Sequence, residues 1–515
     1  MKLIKKSLCV LLAAVIVLSC AVSGFAQTKQ EQTPLVFVCG LNTLPLYLDK
    51  DTENETQVFG PQTEDIVKAV FECLPYLLFG YISNNWDACA KKMAPIVVDL
   101  FDELAISKDN ESVYNVTCSQ FDESYAYYLE NHDDEFFSAA GELGRYAAEE
   151  IGAENVYVYV SDWRMTAIRN AEGLNDLIEK ALSDTGADKV TIAPISQGGT
   201  IATTYLYRYG YDDIANVVML SSAFKGIQQV GDLFSGRVNF DLEAVMQMLC
   251  DGADTEAKAD GFNVLIDMLE FIGLFDILGP VIDKPISEMS DIIFETTLFP
   301  TFGTLGGMWS LVPHADYEAA KAFMFPDGIE GNKTMADVEE YQYNVLANCT
   351  QILEKAIDKG VYVTILSAYG RQMIPFVDEY NLNSDAVIDT YGTSAGATCA
   401  GLELTLGEDY AQKNTSCGHD HVSQDLVVDA STCDFPEYTW FIRGMQHTEF
   451  LAGNNDSLNG FILWLVTADR QLTVHDNAAY PQFMEYERET KTLAPIVSTF
   501  SKFYFVDKIK GMLAK

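Results

Sequence analysis

The chain has 515 residues, with 33 Lys and Arg against 75 Asp and Glu, and a formal net charge of −42. Such a surface repels phosphate backbones, which excludes nucleic acid as a partner and disfavours standing attachment to anionic lipid. With 48% hydrophobic residues the composition is that of an ordinary globular chain, long enough for one large domain with an insertion or for two domains.

The first predicted element is a leader. Lys2, Lys5 and Lys6 precede an apolar run from Leu8 to Val22, and small residues end in "GFA" before Gln27. This is the pattern of an export signal, so residues 1–26 are expected to be removed and the protein to be secreted. "VLSC" loosely matches a lipoprotein box, which makes anchoring through Cys20 the alternative. No later segment reads as a transmembrane helix. Of eleven cysteines, Cys9 and Cys20 fall in the leader, and the odd remainder leaves at least one thiol unpaired. Export permits disulfides, and Cys73 with Cys89 and Cys417 with Cys433 are the expected local pairs.

Beyond the leader, strand and helix patterns alternate. "TPLVFVCGLN" reads as an apolar strand running into a glycine loop, and the stretch around Trp86 carries helical apolar spacing. "SVYNVT" reads as a second strand. "FFSAAGELGRYAAEEIG" is a helix closed by Gly152, "NVYVYVSDWR" a strand, and "NAEGLNDLIEKALSDTG" a helix closed by Gly186. "KVTIAPIS" and "NVVMLSSAFKG" are further strands with a helix between them. This alternation predicts an α/β fold: a mostly parallel sheet with helices on both faces. From Ile227 to Lys359 the pattern is mainly helical, and "GFNVLIDMLEFIGLFDILG" carries a wide apolar stripe that suits either a core helix or a lid. Strands resume with "GVYVTILSAYG" and "TWFIRGMQH". The expected organisation is therefore a first core part at 27–226, a helical insertion at 227–359, and a second core part at 360–515 ending in helices.

The chemistry concentrates at "PISQGG". Ser196 stands at a strand–turn–helix junction with Gly198 and Gly199 behind it. A nucleophilic serine on such an elbow needs small residues two before and two after it, because the backbone is strained and crowded by neighbouring strands. Pro194 occupies the upstream place; it is compact but lacks an N–H. "GTSAG" around Ser394 is a literal G-x-S-x-G, but it has no convincing strand before it and no long helix after it, so it reads as a small-residue loop. On such a fold the order is nucleophile, acid, histidine. Of six histidines, His447 follows the last predicted strand, where the base belongs. Asp425 is the expected acid because it lies nearest that strand with enough chain to reach His447; Asp385 and Asp429 are the alternatives. "CGHDH" offers Cys417, His419 and His421 as zinc ligands. The preferred reading is a polar loop with a disulfide through Cys417, and no metal is expected.

Taken in order, these motifs resemble the α/β-hydrolase superfamily of the lipase kind, above all the lecithin:cholesterol acyltransferase and lysosomal phospholipase group and bacterial triacylglycerol lipases. "SDWR" matches an Asp-Trp-Arg before the elbow, "ISQGG" the elbow, "GMQH" the Gly-x-Gln-His around the base, and "DLVV" the Asp-Gly-Val-Val around the lipase acid. "VFVCGLN" stands where a strand runs into His-Gly, and "LSSAFKG" resembles a Pro-His-x-Gly segment. The resemblance spans about two-thirds of the chain, with Cys39, Pro194, Ile195 and Leu426 departing from the usual residues. It implies a secreted hydrolase of carboxylic, lipid-type esters working through an acyl-enzyme on Ser196, with His447 as base and Asp425 as acid. The backbone N–H groups of Gln197 and Leu41 are the expected oxyanion donors. The implied partners are an ester or lipid substrate and transient contact with a lipid surface, without a cofactor. Acyl transfer to an alcohol is one alternative, and a catalytically inactive binding scaffold is the other.

Overall fold

The computed structural model describes residues 32–58, 101–237, 299–373, 381–452 and, with short gaps, 72–98 and 456–496. The expected leader with Cys20, the apolar stripe at 261–279 and the middle of the expected insertion, 238–298, lie outside the described residues, as does the chain after 496.

An eight-stranded sheet organises the molecule. Its members are β1 (Leu35–Val38), β5 (Val156–Tyr159), β6 (Val190–Ser196), β7 (Ile214–Ser222), β8 (Tyr362–Tyr369), β11 (Thr439–Arg443), β12 (Phe483–Glu487) and β13 (Thr492–Pro495). They lie in the order β5-β1-β6-β7-β8-β11-β12-β13, all parallel except the edge strand β13. Three short strands, β2 (Leu46–Leu48), β3 (Thr56–Gln57) and β4 (Val116–Cys118), form a small antiparallel sheet. Another pair, β9 (Thr398–Cys399) and β10 (Val428–Asp429), staples the chain between β8 and β11.

The central strands are continuous apolar runs because both faces are covered. Leu35 and Phe37 of β1 join one core with α1 (Asp134–Ile151) and α5 (Asp456–Val466). Val36 and Val38 join the other core with α2 (Ala167–Thr185), α3 (Gly198–Tyr209) and α4 (Cys349–Asp358). The mostly parallel α/β sheet with helices on both faces, expected from the alternation of patterns, is the architecture observed. The helix α4, placed by the sequence pattern at the end of the insertion, packs on the sheet as the crossover into β8.

Neither expected disulfide forms: Cys73, Cys89, Cys417 and Cys433 are all free thiols. Cys433 is buried and its Sγ lies 2.9 Å from the Ala430 carbonyl, while Cys417 is exposed on a loop.

"SDWR" has a structural role. The Arg164 side chain is fully buried and grips Asp162 with two bonds, Nε to Oδ1 at 2.9 Å and Nη2 to Oδ2 at 2.6 Å. Its remaining donors reach the Val116 carbonyl at 2.9 Å, Ser112 Oγ at 3.1 Å and the Leu104 carbonyl at 3.3 Å. A buried guanidinium needs all of these acceptors, so it locks the segment 104–116 beneath the loop that follows β5. Removing the arginine leaves Asp162 without its counter-charge. Arg164→Ala is expected to lower unfolding free energy by about 3–5 kcal/mol in denaturant titrations.

Candidate active site

The strands β6, β7, β8 and β11 point their carboxyl ends to one edge of the sheet, the edge where open α/β sheets place ligands. Ser196 ends β6 there with φ of 56°, in the left-handed region that a non-glycine residue seldom occupies. Such strain costs about 1–3 kcal/mol and persists only where the surroundings impose it. Here they do. The Ser196 carbonyl accepts Ala223 N–H at 2.9 Å, and the Pro194 carbonyl accepts Ser222 Oγ at 2.7 Å. A Cβ at Gly198 would collide with the Val38 carbonyl, so α3 can start against β1 only with glycine at that place. Pro194 fits because Thr191 N–H donates toward β1, to the Pro34 carbonyl, so strand alternation turns position 194 toward β7. On that side the register is irregular between Ile195 and Ser196.

Gln197, the first residue after the strand, is buried and clamps the elbow with its side chain. Its Nε2 donates to the carbonyls of Trp163 (3.1 Å) and Gly307 (3.0 Å). Gly307 lies so close that a Cβ there would overlap the Trp163 carbonyl. The backbone N–H groups of Gln197 and Leu41 have no acceptor among the described residues. Gly40, next to Leu41, approaches Ser196 closely enough that an added Cβ would lie 2.9 Å from Oγ. Two donor-bearing loops thus converge beside the serine, and the start of α3 adds its positive dipole end.

His447 follows β11 at this edge, and its partner corrects the sequence expectation. Nδ1 lies 2.6 Å from Oδ2 of Asp385, the alternative acid, and the His447 backbone N–H donates to the Asp385 carbonyl at 2.9 Å. Asp385 is wholly buried and saturated with donors. Oδ2 also accepts Ser221 Oγ at 2.5 Å, and Oδ1 accepts the N–H groups of Val387 (2.9 Å) and Ile388 (2.7 Å). Asp425 is equally buried but pairs with Arg443 Nη1 at 2.9 Å and the Tyr369 hydroxyl at 3.0 Å. Asp429 caps a short turn through Ser431 N–H and accepts the Tyr410 hydroxyl at 2.7 Å. Both are committed to loop structure. Among the described residues no hydrogen bond joins Ser196 Oγ to His447 Nε2, as is common in ligand-free sites of this kind.

The remaining candidates fall as follows. Ser394 of "GTSAG" is fully buried and its Oγ accepts Ala397 N–H at 3.0 Å. Cys39, where the resembled lipases carry histidine, is buried, and desolvation pushes its thiol up to about 12. Ser221 was not anticipated; it has φ of 42° and is, among the described residues, the one hydroxyl on the Asp385 carboxylate. Its only sequence signal was membership of "LSSAFKG" just after a strand.

No family model and no curated protein matches the chain. Among solved structures the chain is similar to that of the crystal structure of the Tle4–Tli4 complex, at 11% identity and a TM-score of 0.31, over 84% of this chain and 98% of that one. That likeness is too slight to carry an argument about function, which therefore rests on the geometry of the site.

Burial raises the Asp385 carboxyl, but the adjacent His447, the Ser221 hydroxyl and Ile388 N–H outweigh burial and hold it below the ordinary value of 3.8. A carboxylate depressed in the folded state contributes stability above its unfolded pKa and loses that contribution as pH falls through its folded pKa. Asp385→Asn is expected to be less stable than the native chain at neutral pH by about 1–3 kcal/mol. The gap is expected to narrow below pH 3.8 in denaturant titrations across pH. By proton NMR the downfield Nδ1–H signal of His447 is expected to vanish in Asp385→Asn and to remain in Asp425→Asn.

Proposed function

We propose that the protein is a serine hydrolase that cleaves carboxylic esters through an acyl-enzyme on Ser196. The observation that carries this reading is the Asp385–His447 pair at the sheet edge where the strained Ser196 ends β6. The order serine, aspartate, histidine along the chain is that of α/β-hydrolases.

Because Asp385 Oδ2 accepts from His447 Nδ1–H, the Nε2 lone pair is left free for the serine proton. Ser196 Oγ attacks the ester carbonyl, forming a new C–O bond as its proton passes to Nε2. The carbonyl oxygen becomes an oxyanion held by the N–H groups of Gln197 and Leu41, each such donor being worth about 3–4 kcal/mol in the transition state. Collapse expels the alcohol, which takes the proton from the imidazolium. Water then enters by the same route in reverse and releases the acid. Asp385 stays ionised throughout, stabilising the imidazolium beside it. The clamp of Gln197 on Trp163 and Gly307 holds the oxyanion donor in place before substrate arrives.

The preference for lipid esters, transient work at a lipid surface and export by the leader rest on the motif resemblance and the N-terminal pattern. They form part of the same proposal.

The test is hydrolysis of short- and long-chain p-nitrophenyl esters by the mature chain. Ser196→Ala is expected to lower kcat by at least about 10⁴-fold, and Asp385→Asn by about 10⁴-fold with little change in KM. Folded Asp425→Asn is expected to keep its activity. A native chain that neither turns over these esters nor reacts with a fluorophosphonate at Ser196 would point to a non-catalytic scaffold.

A further inference from the structure

Away from the candidate active site, a second cluster gathers on the loop between β9 and β10. Cys417, His419 and His421 come from that loop, and Glu437 comes from the turn Pro436–Tyr438 that leads into β11. One ligand atom from each of these four lies within 4.8 Å of all the others. His421 Nε2 is 3.2 Å from Cys417 Sγ and 3.2 Å from Glu437 Oε1, and His419 Nδ1 is 2.8 Å from the same oxygen. His475 arrives from the loop after α5, with Nε2 3.1 Å from Glu437 Oε2 and its ring 4.0 Å from that of His419. A tetrahedron with bonds of about 2.0–2.3 Å has edges of about 3.3–3.8 Å, close to the separations around His421.

A second observation concerns protons. The Gln482 amide donates from Nε2 to the carbonyls of Pro436 (2.7 Å) and Thr439 (3.0 Å), so its Oε1 faces His421 Nδ1 at 2.7 Å as an acceptor. Nδ1 therefore carries the hydrogen, and Nε2 presents its lone pair. That lone pair, on a fully buried ring, points at a carboxylate oxygen. Nε2 thus faces a thiol sulfur and a carboxylate oxygen at once, each at 3.2 Å, and a single cation can be shared by all three once the thiol gives up its proton. The carbonyl-type acceptor behind the imidazole is the usual orienting partner of a metal-bound histidine.

We propose that Cys417, His419, His421 and Glu437 form a structural zinc site, with His475 beside it as a partner of Glu437. A thiolate, two imidazoles and one carboxylate suit Zn²⁺ and exclude the all-oxygen preference of Mg²⁺ and Ca²⁺. The site lies before the amino end of β11, whereas His447 follows its carboxyl end, about 16 Å away for a strand of this length. Zinc there ties the 417–421 loop to the start of the strand that delivers the imidazole, and does not touch the reacting ester. The proposal is independent of the chemistry assigned to Ser196.

The test uses the mature chain freed of metal with a chelator and then titrated with ZnCl₂ or CoCl₂. Metal content by mass spectrometry is expected to reach one equivalent of zinc per chain, with a higher Tm. Cobalt is expected to give tetrahedral d–d bands and a thiolate charge-transfer band. Cys417→Ser should abolish the charge-transfer band, and it and His419→Ala should each weaken zinc binding at least tenfold. Both side chains are on the surface, so folding survives either change; Gln482→Ala tests the orienting bond. Failure of the native chain to take up zinc overturns the proposal. Unchanged binding and spectra in Cys417→Ser also overturn it.

Discussion

A carboxylate removed from water must be surrounded by donors, and Asp385 meets that requirement with four: a serine hydroxyl, two backbone N–H groups and an imidazole. Each donor comes from a place that the rest of the fold has to supply. Ser221 is delivered by the end of β7, Val387 and Ile388 by the turn after β8, and His447 by the loop after β11. Satisfying one buried charge therefore sets the relative positions of three strand ends. The geometry around Ser196, on the strand beside β7, follows from that constraint.

The contrast with Asp425 shows how environment divides two residues of one type. Both are buried, and both lie between β8 and β11 in sequence. Asp425 meets a guanidinium and a phenol: Arg443 bonds it at 2.9 Å while also holding Glu485 at 2.7 Å, and Tyr369 donates at 3.0 Å. That network anchors the long connection onto the end of β11 and leaves no capacity for an imidazole. Among the described residues no permanent cation pairs with Asp385, so its charge is available to an imidazole that gains and loses a proton.

Around the serine the governing term is steric. The elbow is strained because β6 must turn into α3 within a single residue, and the space is bounded by Val38, Gly40 and Ser222. The side chain of Gln197 then fastens the turn to Trp163 and Gly307, while Arg164 beneath Trp163 fastens that loop to the small sheet region. The rigidity of the candidate oxyanion donors thus traces back to a buried ion pair in "SDWR".

Local pattern determined a good deal by itself. Apolar runs and glycine stops marked the parallel strands, because each strand or helix of such a fold reports its own burial along a few residues. The places of Ser196 and His447 were legible for the same reason, since Ser196 ends one locally readable strand and His447 follows another. The acid was not, because residues 370–438 carry no long periodicity and place several aspartates before short apolar stretches. Only the tertiary structure decided that Asp385 reaches His447 while Asp425 meets Arg443, for the choice depends on which donors surround each carboxylate. It likewise decided that Cys417 stands with His419, His421 and Glu437, with no disulfide to Cys433, since Glu437 comes from the turn before β11 and Gln482 from the residue before β12, which no local spacing can bring into view.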